Sequence, residues 1–174
     1  MKWIQHFNTI TKHRLLVMKY CFKCGLYRQG LLHDLSKYSH IEFHNGVKYY
    51  TGKHSPITDE RIDKGYSDAW MHHKGRNKHH SEYWIDVNLE TNRYEPIPMP
   101  EKYIAEMFCD RLAASMVYSG KNYQKYKPLE YLYREKNRIL MHPNTFKKIE
   151  FLLQMYIDKD EKEVFKYIKK NMRK

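Results

Sequence analysis

The sequence predicts an all-α protein, and three observations support this prediction. Apolar residues recur at spacings of three and four over most of the chain, which is the helical period. Gly25, Pro100 and Gly120 fall where such patterns begin or end. Alternation of apolar and polar residues is confined to residues 85–99, where Thr91-Asn92 supplies a turn signal. We therefore expect six to eight helices with one small hairpin around 85–99.

A chain of 174 residues suits one domain with its own core, and we assign residues 1–174 to a single domain. Within it we expect a functional core at about 5–120 and packing helices at about 128–174. No apolar run approaches the roughly 20 residues that a membrane span needs. The first residues, Met-Lys-Trp-Ile-Gln-His, do not resemble a secretory signal. We expect a cytoplasmic protein that does not contact membranes.

The first half of the chain divides into four predicted helices. Residues 5–24 form the first, which Gly25 ends in a left-handed conformation. The second covers 26–35 and is expected to bury Leu31, Leu32 and Leu35. The third runs over 39–50, and the fourth is capped by Thr58 and continues to His73.

The second half contains a long helix and three packing helices. Pro100 suits the first position of a helix that runs to about Tyr118. Apolar faces then predict helices over 128–141, over 143–157 and from about 160 onwards.

The formal net charge is +12, which favours phosphate-bearing partners such as nucleotides or nucleic acid. The alternative is a basic surface that is simply solvated. The three cysteines, Cys21, Cys24 and Cys109, are too few for a disulfide framework. The spacing of Cys21 and Cys24 is that of redox and zinc motifs, but packed structural thiols are the interpretation we favour.

The segment from Leu31 to Lys37 places an imidazole, His33, beside a carboxylate, Asp34. Adjacent His and Asp side chains offer two types of metal ligand at nearly one point. Lys37 follows three residues after Asp34, within reach of the same site. Its ammonium suits a phosphate, although a surface salt bridge is the alternative.

A second cluster lies at His72 to His80, where four histidines and three cations occur within nine residues. A metal ion would offset the repulsion by holding the imidazoles neutral. We expect His73 and His80 to face inward, with His79 and His72 less well defined. The cations and the amide between them suit phosphate oxygens, and the candidates are Lys74, Arg76, Asn77 and Lys78. An exposed polar loop is the alternative.

Asp110 lies on an otherwise apolar helix face with Tyr103, Met107 and Ala114. A buried carboxylate must meet a cation, hydrogen-bond donors or a metal. His13 likewise shares an apolar face in the first helix, where it could be a hydrogen-bonded core residue or a ligand.

The order of these motifs resembles the HD-domain superfamily of metal-dependent phosphohydrolases over roughly residues 5–120. It is most similar to a small bacterial and phage branch of that superfamily. The matching elements are His33-Asp34-Leu35-Ser36-Lys37, then Asn77 followed by His79-His80 and Tyr83-Trp84, then Cys109-Asp110. The Gly-Tyr-Pro signature of cyclic dinucleotide phosphodiesterases is lacking, so we infer no such specificity.

The resemblance implies an HD-like helical domain in which one divalent ion is held by His13, His33, Asp34 and Asp110. His73, His79 or His80 would hold a second ion bridged by Asp34, or bind phosphate. The ion could be Mn, Fe, Zn, Ni, Co or Mg. Asp34, Lys37 and His79 are the expected catalytic residues, and Lys74 to Lys78 the expected substrate loop.

The predicted activity is metal-dependent hydrolysis of a phosphomonoester or phosphodiester, with a nucleotide as the favoured substrate. Two other classes remain open. One is a basic nucleic-acid-binding module with a structural metal, which would bind DNA or RNA with strong salt dependence. The other is a di-iron oxygenase of the HD type, which would contain iron when purified. A homo-oligomer is compatible with all three.

Overall fold

The computed structural model describes residues 1–173 and is predominantly helical. Within these residues, nine α-helices and one hairpin occur in this order: α1 (Lys2–Lys23), α2 (Tyr27–Leu32), α3 (His40–Lys48), α4 (Pro56–Lys64), α5 (Asp68–Lys74), β1 (Ile85–Asn88), β2 (Arg93–Pro96), α6 (Glu101–Ser119), α7 (Lys127–Glu135), α8 (Pro143–Asp158) and α9 (Glu161–Asn171). The all-α prediction is confirmed. Across residues 1–173, every helix is too short or too polar to cross a membrane.

The two longest helices, α1 and α6, pack against each other and form the centre of the fold. Helix α8 packs on α6, and α9 contacts both α1 and α8. The core is apolar where these four helices meet, and its fully buried members include Val17, Phe108, Leu112, Ile149, Leu152, Leu153 and Ile168. Burial of these side chains is the main stabilising contribution and fixes the relative positions of α1 and α6.

Helices α3, α4 and α5 form a smaller layer beside this core. Ser39 caps α3, and Ser67 caps α5 by accepting a hydrogen bond from the backbone N–H of Trp70 at 3.0 Å. The predicted single helix from Thr58 to His73 is wrong, because Gly65 adopts a left-handed conformation (φ 81°) and ends α4 there. This break separates α4 from α5, so the described residues contain nine helices and not six to eight.

Helix α2 is shorter than predicted and packs through a glycine. A Cβ atom on Gly30 would lie 2.9 Å from the Cβ atom of Cys21, so only glycine allows this approach of α2 to α1. The face with Gly30 therefore points inward. The prediction that Leu31, Leu32 and Leu35 bury one side was wrong, since all three are exposed.

The predicted hairpin is present, with Ile85 paired to Pro96 and Asn88 to Arg93. Pro100 directly precedes α6 and does not form its first residue, and α6 ends before Gly120 as expected. The three cysteines are buried, and the sulfur atoms of Cys24 and Cys109 lie 3.8 Å apart across the α1–α6 interface. They occupy the apolar core as packed thiols.

Candidate metal centre

Five parts of the chain bring histidines and carboxylates together beside the core. Helix α1 supplies His13, and α6 supplies Asp110, which contacts His13 across the α1–α6 interface. Helix α5 supplies His73, and the loop after α5 supplies His79 and His80. The remaining two, His33 and Asp34, lie in the turn that follows α2.

The turn after α2 has an uncommon backbone that aims both side chains inward. Asp34 adopts a left-handed conformation (φ 52°, ψ 27°), which non-glycine residues rarely take but aspartate tolerates. The guanidinium of Arg14 holds the turn by donating to the carbonyl oxygens of His33 at 2.8 Å and Leu31 at 2.9 Å. The predicted second helix over 26–35 would have included His33 and Asp34, and this is corrected, because both lie in the turn after α2 ends at Leu32.

The first grouping contains His13, His33, Asp34 and Asp110, whose possible ligand atoms all lie within 4.8 Å of one another. His13 Nε2 lies 2.9 Å from Asp110 Oδ1, and His33 Nε2 lies 3.4 Å from Asp34 Oδ2. His33, Asp34 and His13 are buried, while the Asp110 side chain is 18 % exposed. Solvent therefore reaches this grouping from the side of Asp110.

The second grouping contains Asp34, His73, His79 and His80, again within 4.8 Å of one another. Oδ1 of Asp34 lies 3.3 Å from His73 Nε2 and 3.4 Å from His79 Nε2. His80 Nε2 approaches His73 Nε2 at 2.9 Å. His79 is more deeply buried than His80, so the expectation that His73 and His80 form the inward-facing pair omitted His79. Asp34 belongs to both groupings and joins them.

Two glutamates orient the imidazoles by contacting Nδ1, the ring nitrogen that faces away from Asp34. Oε1 of Glu106 lies 2.9 Å from His33 Nδ1 and 3.2 Å from His79 Nδ1. When Nδ1 carries the proton and donates to the carboxylate, Nε2 presents a lone pair towards Asp34. Glu42 on α3 plays the same part for His73, whose Nδ1 lies 2.8 Å from Glu42 Oε2.

Glu42 is buried in this position, whereas His44 on the same helix is exposed and stacks on His40. Sequence reasoning missed Glu106. A signal was present, because Glu106 lies four residues before Asp110 and therefore on the same face of α6. A second carboxylate on an apolar helix face needs a partner for the same reason as the first.

The chemistry of the cluster fits a metal ion. Among residues 1–173, the buried polar atoms without a hydrogen-bonding partner include five ligand atoms of the two groupings: His13 Nε2, His33 Nε2, His79 Nε2, Asp34 Oδ1 and Asp34 Oδ2. Oppositely charged atoms are near, but the geometry of a hydrogen bond is lacking. Burying such atoms without partners is costly, and divalent ions held by the two groupings would supply partners for all five.

The protonation of several ligands agrees with this interpretation, and His33 is the exception. Burial lowers the pKa of His33, but Asp34, Asp110 and Glu106 outweigh burial and raise this pKa well above its usual value, so a metal ion would have to displace a proton there. Burial raises the pKa of Asp34 and Asp110, but neighbouring His33, Lys37 and His13 outweigh burial and hold both carboxyl pKa values well below their usual range. Burial lowers the pKa of His13 and His80, which keeps these imidazoles neutral. Metal ligands must be deprotonated, and these four groups already are near neutral pH.

Lys37 contacts the cluster directly. Its Nζ lies 2.7 Å from Asp34 Oδ2. Burial opposes the charge on Lys37, but the Asp34 carboxylate outweighs burial and raises the pKa of this ammonium above its usual value. A fixed positive charge therefore lies next to the candidate ligands, as expected from the sequence.

The residues of the expected substrate loop make different kinds of contact in the structure. Asn77 is buried and donates to the Ser36 hydroxyl at 2.9 Å and to the His73 carbonyl oxygen at 2.8 Å, so its amide supports the cluster. Arg76 donates to the carbonyl oxygen of His72, and Lys78 lies over the rings of Tyr83 and Tyr103. Lys74 is half-buried at the end of α5. Of the expected cations, Lys37 is therefore the one in contact with Asp34.

Comparisons with known proteins give a family without an assigned activity. Residues 2–155 match a family described as "Family of unknown function (DUF5662)". The match includes every residue of both groupings and the two glutamates behind them. Neither the curated proteins nor the solved structures that were compared with the chain gave a match.

Proposed function

The chain belongs to the DUF5662 family, whose function is unknown, and we propose from its buried site that it is a metal-dependent phosphohydrolase. The observation that carries the proposal is the convergence of five buried ligand atoms without hydrogen-bonding partners in the part of the chain that the structure describes. Both oxygens of Asp34 are among these atoms, and Asp34 is shared by the two groupings. This arrangement supports two ions bridged by Asp34.

The first ion would be held by His13, His33, Asp34 and Asp110, and the second by Asp34 together with His73, His79 and His80. Mixed imidazole and carboxylate ligands suit Mn, Fe, Co, Ni or Zn better than Mg, which prefers oxygen. When bound, such ions supply Lewis-acid polarisation of a phosphoryl oxygen and a bound water of lowered pKa.

The protein residues contribute orientation and charge. Asp34 would position the attacking water; its two oxygens, which are both candidate ligand atoms, leave no free site for a proton. Lys37, whose Nζ is 2.7 Å from Asp34 Oδ2, would neutralise charge on the phosphoryl group. Glu106 and Glu42 hold the imidazoles in fixed orientations, so little reorganisation is needed during the reaction. We assign His79 to metal binding in preference to proton transfer, because both of its ring nitrogens face carboxylates.

Two further observations favour a phosphorylated substrate. The order of His13, His33-Asp34, His79-His80 and Asp110 resembles the metal sites of HD-domain phosphohydrolases. The net charge of +12 favours anionic partners, and a nucleotide is the substrate that we propose.

The first experiment measures metal content by inductively coupled plasma mass spectrometry. We compare the wild-type protein with Asp34→Asn and Asp110→Asn, each after incubation with one transition metal and removal of excess. Asparagine also tolerates the left-handed backbone at position 34, so Asp34→Asn removes the charge without forcing the turn to change. Asp86→Asn on the exposed hairpin is the matched control.

We expect about two equivalents of metal in the wild type and in Asp86→Asn, and less than half an equivalent in Asp34→Asn because both ions share this residue. The metal-loaded wild type should hydrolyse a nucleoside monophosphate or bis-(p-nitrophenyl) phosphate, and Asp34→Asn should not. Equal metal content in all four proteins would contradict the site. Bound iron with an oxygen-dependent optical band and no hydrolysis would replace the proposal by the oxygenase alternative.

A further inference from the structure

The leucines that follow Gly30 lie on the outer surface of the fold. Leu31, Leu32 and Leu35 are 54, 53 and 46 % exposed, although their spacing predicted burial. Gly30 faces the ring of Phe22 on α1, so the opposite side of α2, which carries Leu32, points away from the protein. Three aliphatic side chains within five residues are thus held outside the apolar core.

Exposed side chains of α1 and α2 extend these leucines into one apolar surface. Tyr27 contacts Phe22, with ring centroids 5.4 Å apart. At the other end of α2, Arg14 donates to the carbonyl oxygen of Leu31 at 2.9 Å. Leu15 is next to Arg14 and, seven residues before Phe22, lies on the same face of α1. We call this surface the leucine patch, and its members, all at least 38 % exposed, are Leu15, Phe22, Tyr27, Leu31, Leu32 and Leu35.

The segment that carries the leucine patch is basic and has no exposed carboxylate. Residues 1–41 contain seven Lys or Arg residues and one acidic residue, the buried Asp34. Lys23 and Lys37 form ion pairs with Glu161 and Asp34. Three exposed cations next to the patch along the chain have no ion pair within residues 1–173, and these are Lys12, Lys19 and Arg28. The patch therefore combines apolar side chains with positive charge alone.

These properties argue against a second copy of the chain as the partner of the leucine patch. Two copies would bring the same unpaired cations together, and like charges oppose association. The six side chains expose on the order of 500 Å², whereas a stable interface covers about 800 Å² on each partner. Nucleic acid would match the charge, but proteins bind its bases by stacking on aromatic side chains and not on leucines.

An anionic lipid bilayer matches both properties of the leucine patch. Its headgroups attract Lys and Arg side chains. Its hydrocarbon takes up Leu, Phe and Tyr side chains, and it needs no binding groove of complementary shape because lipid adapts to the surface that inserts. Apolar side chains with cations beside them are the composition of helices that lie in the plane of a membrane surface.

We propose that the leucine patch docks the protein onto anionic membrane surfaces, with its apolar side chains inserted and its cations at the headgroups. The proposal is independent of metal-dependent hydrolysis, since none of the six patch residues is a candidate ligand. It replaces the expectation of a protein that does not contact membranes, which rested on the lack of an apolar run long enough to span a bilayer. Binding at the surface needs no such run.

Co-sedimentation of the full-length protein with lipid vesicles tests the proposal. The vesicles contain either phosphatidylcholine alone or equal parts of phosphatidylcholine and phosphatidylserine. We expect binding to the anionic vesicles that weakens as salt is added, because salt screens the attraction between the cations and the headgroups. Binding to the neutral vesicles should be at least tenfold weaker.

A matched pair of double variants tests the apolar contribution. Leu31→Gln with Leu32→Gln removes apolar surface from the patch, and Leu89→Gln with Leu140→Gln removes exposed leucines outside α1 and α2. Glutamine retains the helix propensity of leucine, and circular dichroism checks that each variant is folded. We expect the first double variant to bind anionic vesicles at least tenfold more weakly and the second to remain within twofold of the wild type.

A second pair tests the cations. Lys19→Gln with Arg28→Gln should weaken binding to anionic vesicles about tenfold and reduce its salt dependence. Lys121→Gln with Lys147→Gln removes the same charge from exposed positions outside α1 and α2, and it should weaken binding less than threefold.

A tryptophan placed in the patch reports insertion directly. Relative to the wild type, Leu32→Trp should add fluorescence that shifts to the blue with anionic vesicles and is quenched by lipids brominated on their acyl chains. Leu140→Trp, at a leucine of similar exposure outside the patch, is the control and should add fluorescence that shows neither effect.

Each contrary outcome overturns the proposal in a different way. No binding to anionic vesicles at low salt removes the membrane as partner. Equal binding of the two leucine double variants, or no quenching of Leu32→Trp, leaves electrostatic adsorption alone. If vesicles do not bind and Leu31→Gln with Leu32→Gln abolishes self-association or binding to a DNA oligonucleotide, the partner is a second copy or nucleic acid. None of these outcomes bears on metal content or hydrolysis, so the phosphohydrolase proposal stands or fails separately.

Discussion

At the scale of single residues, Glu106 connects the two groupings through Nδ1 of their histidines, whereas Asp34 connects them as a shared candidate ligand. Its Oε1 contacts Nδ1 of both His33 and His79, so one carboxylate fixes one ligand of each grouping. Hydrogen bonds of this kind orient metal-binding histidines and increase their basicity.

We expect Glu106→Gln to weaken metal binding about tenfold and Glu106→Ala about a hundredfold. Glutamine can still accept a hydrogen bond but lacks the charge, whereas alanine removes both. The measurement is isothermal titration of the metal identified by mass spectrometry, and Glu90→Gln in the exposed hairpin turn is the control. Unchanged affinity in Glu106→Ala would show that these hydrogen bonds do not orient ligands.

His6 gives a prediction for the pH dependence of stability. Burial, followed by the charge of Lys37, lowers its pKa from 6.5 to about 4. The other titratable groups that line the cavity beside His6 are Glu42, Glu60, His73, Tyr50 and Tyr118. Below pH 6.5 the unfolded chain takes up a proton at His6 while the folded protein does not, so this residue makes the protein less stable as the pH falls from 6.5 towards 4.

We expect the wild type to lose roughly 2 kcal/mol more stability than His6→Leu between pH 7.5 and pH 5. Urea denaturation with a metal chelator in both samples measures the difference, because the chelator removes the contribution of metal release. Parallel pH profiles for the two proteins would contradict a lowered pKa at His6.

The residue types of the site could be read from the sequence because metal chemistry restricts them to few side chains. His13, His33, Asp34 and Asp110 were each predicted, and the structure brings them within 4.8 Å. The inward position of His79 could not be predicted, because the loop after α5 has no periodicity that indicates which side chains face the interior.

At the scale of elements, the sequence predicted long helices better than short ones. In helix α1 the repeated apolar positions determine both the element and its buried face. Helix α6 was also predicted as a helix, but it buries every residue from Ile104 to Cys109 and so has no single buried face. Helix α2 has six residues and is positioned by a glycine contact, so its apolar residues gave the wrong buried face. The left-handed conformation of Asp34 likewise has no signal in the spacing of apolar residues.

The glycine contact between α2 and α1 gives a prediction about stability. In Gly30→Ala the new Cβ atom would meet the Cβ atom of Cys21 at 2.9 Å and the ring of Phe22 at 3.1 Å. We expect a loss of roughly 1–3 kcal/mol, because this overpacking exceeds the gain in helix propensity. Because α2 leads directly into the turn with Asp34, metal affinity should also fall.

The control for Gly30→Ala is Gly75→Ala at the end of α5. Its new Cβ atom would meet nothing closer than 3.5 Å, and the backbone there is right-handed. We expect this change to be neutral or to stabilise the protein by up to about 1 kcal/mol. Urea denaturation measures both variants, and equal stability of the two would show that the α1–α2 contact relaxes without cost.

At the scale of the whole molecule, the apolar core and the polar site share the same two central helices. One part of the α1–α6 contact contains Val17, Phe108 and Leu112, and another contains His13 and Asp110. The core therefore holds these two ligands in place, even though the cluster itself contains buried atoms that lack hydrogen-bonding partners within residues 1–173. In such an arrangement a bound metal would contribute to global stability.

This coupling predicts that the bound metal raises the melting temperature. At a free metal concentration of one hundred times the dissociation constant, the stabilisation is about 2.7 kcal/mol for one ion that binds only the folded state. For a chain of this size we expect an increase of roughly 5–10 °C, with a larger increase if two ions bind. Differential scanning calorimetry with and without metal measures it, and a chelator should reverse it. Asp34→Asn should melt at the same temperature with and without metal, because both groupings lose their shared ligand. A melting temperature of the wild type that does not respond to saturating metal would mean that the cluster binds no ion in the folded protein.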